Sequence, residues 1–231
     1  MLVSLHLPKT AGTSFLRLLE SHYGAGLLRD YDDRPLNRER WQRRATALGG
    51  CLRNALPAGH LRGIECIHGH FLPVKYRLLG WRTKVRFVVW LRDPVERLAS
   101  HYFYWQRSYD PVNAEPLHRR VVGEGWDLER FCLGPELQNT YSQFLWAFPL
   151  SRFDFVGITE RYAEDAAFFA REFLGTATPD TAPENVNSTQ RAGDDTVYIS
   201  DPGFRRAIEE HHAEDMALNQ EALNMRVARG E

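Results

Sequence analysis

The sequence predicts an α/β protein built on an open, P-loop-like parallel sheet flanked by helices, and three observations predict it. Apolar runs of strand length at residues 2–7, 64–67, 85–91 and 153–159 alternate with segments of helical periodicity. The run at 85–91 is apolar at nearly every position, as a strand covered on both faces requires. The runs end at polar, chemistry-bearing residues and are followed by helices, which collects those residues at the carboxyl ends of parallel strands. At 231 residues the chain fits a single domain, 1–231, with no internal repeat.

The first element sets the pattern. A buried strand at 2–7 enters a short turn, Pro8-Lys9-Thr10-Ala11-Gly12-Thr13-Ser14, and an amphipathic helix follows with Phe15, Leu16, Leu18 and Leu19 on its apolar side. A strand that stops at small residues and restarts as a helix aims several backbone N–H groups at one point. The helix dipole, the Lys9 ammonium and the hydroxyls of Thr10, Thr13 and Ser14 add to the same anion site. Lys9 precedes Gly12, whereas the Walker A lysine follows its glycines, so this is a different cradle.

Gly24-Ala25-Gly26 ends that helix, and residues 29–44 read as a charged loop leading into a short solvated helix over 38–48, closed by Gly49-Gly50. The next strand, 64–67, delivers His68 and His70 to its end. If extension continues through Gly69, period-two geometry sets both imidazoles on one side, where either can serve as a base or be merely packed, a two-histidine metal site being the third option. The strand 85–91 ends at Arg92, with Asp93 as N-cap and Pro94 at the first helical position. Ser100 lies eight residues on, and an arginine fork with a hydroxyl suits a second phosphate. Residues 110–134 form an excursion with a short helix at 127–132, and a further helix is expected over 137–147. The strand 153–159 precedes an amphipathic helix over 160–174 that Gly175 stops. Residues 176–195 read as a loop able to cover a ligand, with Arg191 its anion partner, and a helix over 202–227 closes the pattern.

Composition narrows the class. Apolar residues make up 43% and charged residues 26%, which is the balance of a soluble globular chain, and the net charge of −1 gives no overall argument for nucleic acid. The three cysteines, Cys51, Cys66 and Cys132, are odd in number and far apart, which disfavours a disulfide framework or a zinc knuckle. No apolar run reaches the roughly 18 residues of a membrane-spanning helix. The first strand begins at residue 2, so the expectation is a cytoplasmic protein with no integral membrane segment.

Pro8-Lys-Thr-Ala-Gly-Thr-Ser14 together with Arg92-Asp-Pro-Val-Glu-Arg-Leu-Ala-Ser100 resembles the paired motifs of sulfotransferases that use 3′-phosphoadenosine 5′-phosphosulfate (PAPS). The likeness is closest to the heparan and uronyl 2-O-sulfotransferase branch, whose members also carry a His-x-His element after the second strand. The resemblance implies the sulfotransferase fold and a set of roles. Lys9, Thr10, Ala11, Gly12, Thr13 and Ser14 would hold the 5′-phosphosulfate, with Lys9 neutralising the leaving oxygen. Arg92 and Ser100 would hold the 3′-phosphate, and Ser188 and Arg191 would belong to the nucleotide-covering segment. His70, with His68, would take the proton from an acceptor hydroxyl. PAPS would be the donor and the 3′,5′-bisphosphate PAP the product, with no metal required. The acceptor would be a carbohydrate or another small hydroxyl compound, and nucleic acid is not expected as a partner. A P-loop kinase using ATP and Mg²⁺, or a non-catalytic nucleotide-binding protein of the same fold, are the competing expectations.

Overall fold

A computed structural model describes residues 1–56, 61–81, 83–176 and 199–230. Its centre is a parallel sheet of strands β1 (Leu2–Leu5), β2 (Leu27–Asp30), β3 (Cys66–Gly69), β4 (Arg86–Leu91) and β5 (Phe155–Ile158), in the order β2-β3-β1-β4-β5. Helices α1 (Gly12–Tyr23) and α2 (Arg40–Ala55) and a 3₁₀ run, Pro73–Trp81, accompany the first half of the sheet. Between β4 and β5 come α3 (Pro94–Arg107), α4 (Pro116–Gly123), α5 (Leu128–Leu133) and α6 (Thr140–Phe144). After β5 come α7 (Tyr162–Phe169), which ends in a π turn at Ala170–Leu174, then α8 (Pro202–His211) and α9 (Ala213–Ala228).

Alternation along the strands divides the core into two layers. Val3, Leu5, Leu7, Ile67, Val89 and Val156 pack with Tyr141 and Phe144 of α6 and Ala222 of α9. Leu2, Val88, Trp90 and Phe155 point the other way, against Phe15 and Leu19 of α1 and Phe169 of α7. Among the described residues no helix is long and apolar enough to cross a membrane.

Four departures from the sequence reading have physical causes. Strand β2, read as loop, pairs only with β3, and its Leu27 and Leu28 are half-buried, so an edge position never required a continuous apolar run. Helix α2 passes through Gly49-Gly50 and continues to Ala55. Gly50 lies so close to the Lys75 stem that an added Cβ would sit 2.7 Å from Lys75 Cγ, so this glycine permits packing and does not end the helix. The helix expected over 137–147 is confined to α6, because Asn139 takes a left-handed conformation at its start. The helix expected over 202–227 breaks at His212, whose Nε2 donates to the Cys132 carbonyl at 2.7 Å while Nδ1 accepts from the Asn139 N–H at 3.1 Å. The expected covering loop, including Ser188 and Arg191, lies almost wholly outside the described residues.

Candidate active site

The sheet order makes one crevice special. The chain leaves β1 through α1 toward β2 on one side and leaves β4 toward β5 on the other, so the carboxyl ends of these adjacent strands form the switch point of the sheet. Lys9 follows β1 and Arg92 follows β4.

The loop after β1 is conformationally costly. Lys9 (φ 65) and Ala11 (φ 58) both occupy the left-handed region, at about 1–3 kcal/mol each for residues with a Cβ. Thr10 is buried between them, and its hydroxyl donates to the Leu7 carbonyl at 2.9 Å. That bond closes the loop, so the Thr10 side chain shapes the turn and its hydroxyl hydrogen is committed there. Ala11 is the N-cap of α1 and no side chain caps the helix, which leaves the first-turn dipole directed at the crevice. Ser14 is buried in that first turn and Thr13 is exposed.

The two motifs meet at Lys9. Its Nζ lies 4.0 Å above the ring of Tyr104, which is one turn along α3 from Ser100 and shares its face. Burial, then the charges of Arg92 and Arg107, draw the Lys9 pKa down to about 8. The charges of Arg92 and Arg107 thus act on Lys9, a repulsion that a bound anion would relieve.

Arg92 is fixed by its backbone: the Tyr141 hydroxyl accepts from its N–H at 3.1 Å and donates to its carbonyl at 2.8 Å. Asp93 caps α3 through the N–H groups of Val95 and Glu96. Asp93 and Glu96 are also paired with Arg205 of α8, at 2.7 and 2.9 Å. The Arg92 side chain instead approaches Glu160, with Nε 3.9 Å from the carboxylate. The Glu160 carboxylate also accepts from the Asp93 N–H at 2.9 Å, and desolvation shifts its pKa upward.

Beside the cradle stands a stack of three imidazoles. His6 lies 4.4 Å from His70 and 5.1 Å from His68, with interplanar angles of 27° and 24°. Two glycines make this possible. A Cβ on Gly12 would fall 1.7 Å from His6 Nε2, and one on Gly69 would fall 1.7 Å from the Asp30 carbonyl oxygen of β2. Tyr31, just past β2, sets its hydroxyl 3.0 Å from His6 Nδ1 and its ring edge against His70.

The tautomer of His70 follows from its partner. His70 Nδ1 meets the backbone carbonyl of His6, which only accepts, so Nδ1 carries the proton and Nε2 keeps its lone pair. Burial lowers the His70 pKa, and the bond to His6 opposes that shift in part. His68 is a poorer candidate for proton transfer. It is 1% exposed, Nδ1 is paired with the Ser4 hydroxyl at 2.8 Å, and burial, then His70 and Arg29, push its pKa down to about 3.

Several residues here were not singled out in the sequence. His6 sits inside an apolar run, so nothing marked it until the register paired β1 with β3. Tyr31 and Tyr104 come from elements that meet only in the fold. His101, next to Ser100, is buried with Nδ1 unpartnered among the described residues, and Arg97, Lys9 and His70 are near enough to act on its charge. Arg97 is fully buried over the Tyr141 ring at 5.2 Å, and none of its three guanidinium nitrogens has a hydrogen-bond partner among the described residues. Apart from these, a cavity of about 460 Å³ between α2 and α6 is lined by Arg40, Arg43, Arg44 and Ser142. No protein-family model matches the chain, and no curated protein matches it.

Proposed function

We propose that this chain is a sulfotransferase of the sulfotransferase fold, moving a sulfuryl group from PAPS to a hydroxyl of a carbohydrate or another small acceptor. What supports the reading is a lysine loop and uncapped helix start after β1, Arg92 after the adjacent β4, and, after β3 on the other side of β1, an imidazole whose Nε2 lone pair is fixed. In-line group transfer needs both halves: a cation at the leaving oxygen and a base at the attacking one.

Bound donor supplies the sulfuryl group and leaves as PAP. Lys9 and the first-turn N–H groups of α1 face the 5′-phosphosulfate, and Arg92 with Ser100 faces the 3′-phosphate. His70 Nε2 takes the acceptor proton as the new O–S bond forms and the bridging S–O bond breaks. The imidazolium so formed keeps its Nδ1–H on the His6 carbonyl, and its charge rests against the neutral ring of His6. No step requires a covalent enzyme intermediate.

The test is release of PAP from PAPS in the presence of a panel of hydroxyl acceptors, with wild type beside His70→Ala. Acceptor-dependent PAP formation by the wild type that the variant loses supports the reading. Turnover with ATP and Mg²⁺ alone would replace it with a kinase.

A further inference from the structure

Helix α2 carries a feature that the crevice does not use. Its inner face is small or polar: Ala47, Gly50, Cys51 and Asn54 are buried, and Asn54 donates to the Lys75 carbonyl at 3.1 Å. Turned away from that face are Trp41, Leu48 and Leu52, which are 69%, 48% and 68% exposed. At about 100° per residue their spacing confines all three to an arc of roughly 40°, and Ala45 and Ala55 widen it to roughly 80°. Scattered exposed apolar residues are ordinary, but an aligned stripe along a helix marks a contact surface.

The charge pattern identifies the partner. Arg40, Arg43, Arg44 and Arg53 lie on this helix, and no Asp or Glu occurs from residue 40 through 56. The nearest acid, Glu39, is the N-cap, engaged by the backbone of Gln42 in a capping box. On the same wheel the exposed Arg40 and Arg53 fall on opposite sides of the stripe, while Arg44 lies over the Trp146 ring. Pairing α2 with the α2 of a second copy would set arginines against arginines with no carboxylate between them. An anionic bilayer offers both an apolar phase for the stripe and phosphates for its flanks.

We propose that α2 is a membrane-surface helix, seating Trp41, Leu48 and Leu52 at the headgroup boundary of an anionic lipid bilayer with the exposed Arg40 and Arg53 on the lipid phosphates. The chain as a whole is near neutral at −1, so the attraction is local to this face. Binding at this surface is independent of what the crevice binds, and either assignment can fail alone.

The test is flotation of the full chain with vesicles of phosphatidylcholine, alone or mixed with phosphatidylglycerol, at low and high salt. Wild type is expected to float with the anionic vesicles and to release as salt rises. Trp41→Ser and Leu52→Ser should each weaken partitioning about ten-fold. Exchanging Arg40 and Arg53 for Gln should cost about five-fold per residue and abolish the preference for phosphatidylglycerol. Leu223→Ser, an exposed leucine on α9, should change nothing, and all variants should melt like wild type because Trp41, Leu52, Arg40, Arg53 and Leu223 are exposed. Absence of wild-type flotation at low salt, or equal flotation by the stripe variants, would overturn the proposal. So would a concentration-dependent dimer in sedimentation that Leu52→Ser dissolves, which would assign the stripe to a second copy.

Discussion

The tautomer of His70 decides what the histidine stack can do. With Nδ1–H held by the His6 carbonyl, Nε2 is left as an acceptor, the form a base in the proposed reaction requires. Replacing His70 with Ala is expected to lower turnover by roughly 10²–10⁴ while leaving nucleotide affinity within about two-fold; single-turnover kinetics beside calorimetry separates the two. Full activity in this variant would remove His70 from the base role. Lys9 makes a second prediction. Its folded pKa of about 8 lies below the unfolded value of 10.5, so between those limits the unfolded chain binds more protons. The Lys9 contribution to stability should therefore rise as pH increases from about 8 toward 10.5, read as the difference between wild type and Lys9→Met. Burial raises the thiol pKa values of Cys66 and Cys132 and the phenol of Tyr141, which works the other way in both proteins. A bound polyanion favours the ammonium, so affinity for PAP should be full below about pH 8 and fall as pH rises above it, by up to about ten-fold per unit. Calorimetric titration between pH 7 and 10 on wild type and Lys9→Met checks this, since the variant should lose that slope.

At the scale of elements, the loop from β1 to α1 and the end of β3 form one unit, joined through His6. Gly12→Ala places a methyl where His6 Nε2 lies, so the variant must expel the imidazole from the stack or shift the start of α1. The expected result is a loss of about 1–3 kcal/mol in urea unfolding together with a collapse of turnover. Unchanged stability and activity would show that His6 has room to move and that its place in the stack is incidental. These elements also show what a sequence reader can and cannot see. Lys9, His70 and Arg92 were legible because each follows an apolar run and so stands at a strand end. The cap at Asp93 and the stop at Gly175 were legible because their chemistry is local. His6 was hidden within a run that reads as strand interior, and its meaning depends on Gly12 and on the carbonyl contact to a residue 64 positions away. Strand β2 was hidden because an edge strand of four residues needs little apolar signal. The exposed stripe of α2 was hidden because an apolar face looks the same in sequence whether it points inward or outward.

The whole molecule stores several neutral histidines. Burial is the leading cause that holds His6, His68, His70, His101 and His212 below the ordinary imidazole pKa, with His212 at about 4. Each has a folded pKa below its unfolded value near 6.5, so its contribution is complete above that pH and is lost as pH falls toward the folded values. Asp215 works in the opposite sense: burial lifts it to about 6, so it gains stability relative to the unfolded chain as pH falls below 6. The first decline, just below pH 6.5, thus belongs to the histidines, and urea midpoints at pH 7.5, 6.5 and 6.0 should fall in that order. A flat or rising series would mean that the imidazoles are solvated or paired in solution. For the molecule as a whole the central claim is that the β1–β4 crevice receives a nucleotide 3′,5′-bisphosphate beside a base. Isothermal titration with PAP, against ATP with and without Mg²⁺, tests this most directly. The account predicts saturable, metal-independent binding of PAP that Arg92→Ala and Lys9→Ala each weaken at least about ten-fold, the scale of one charge-assisted contact. Binding of ATP only with Mg²⁺, and none of PAP, would contradict it.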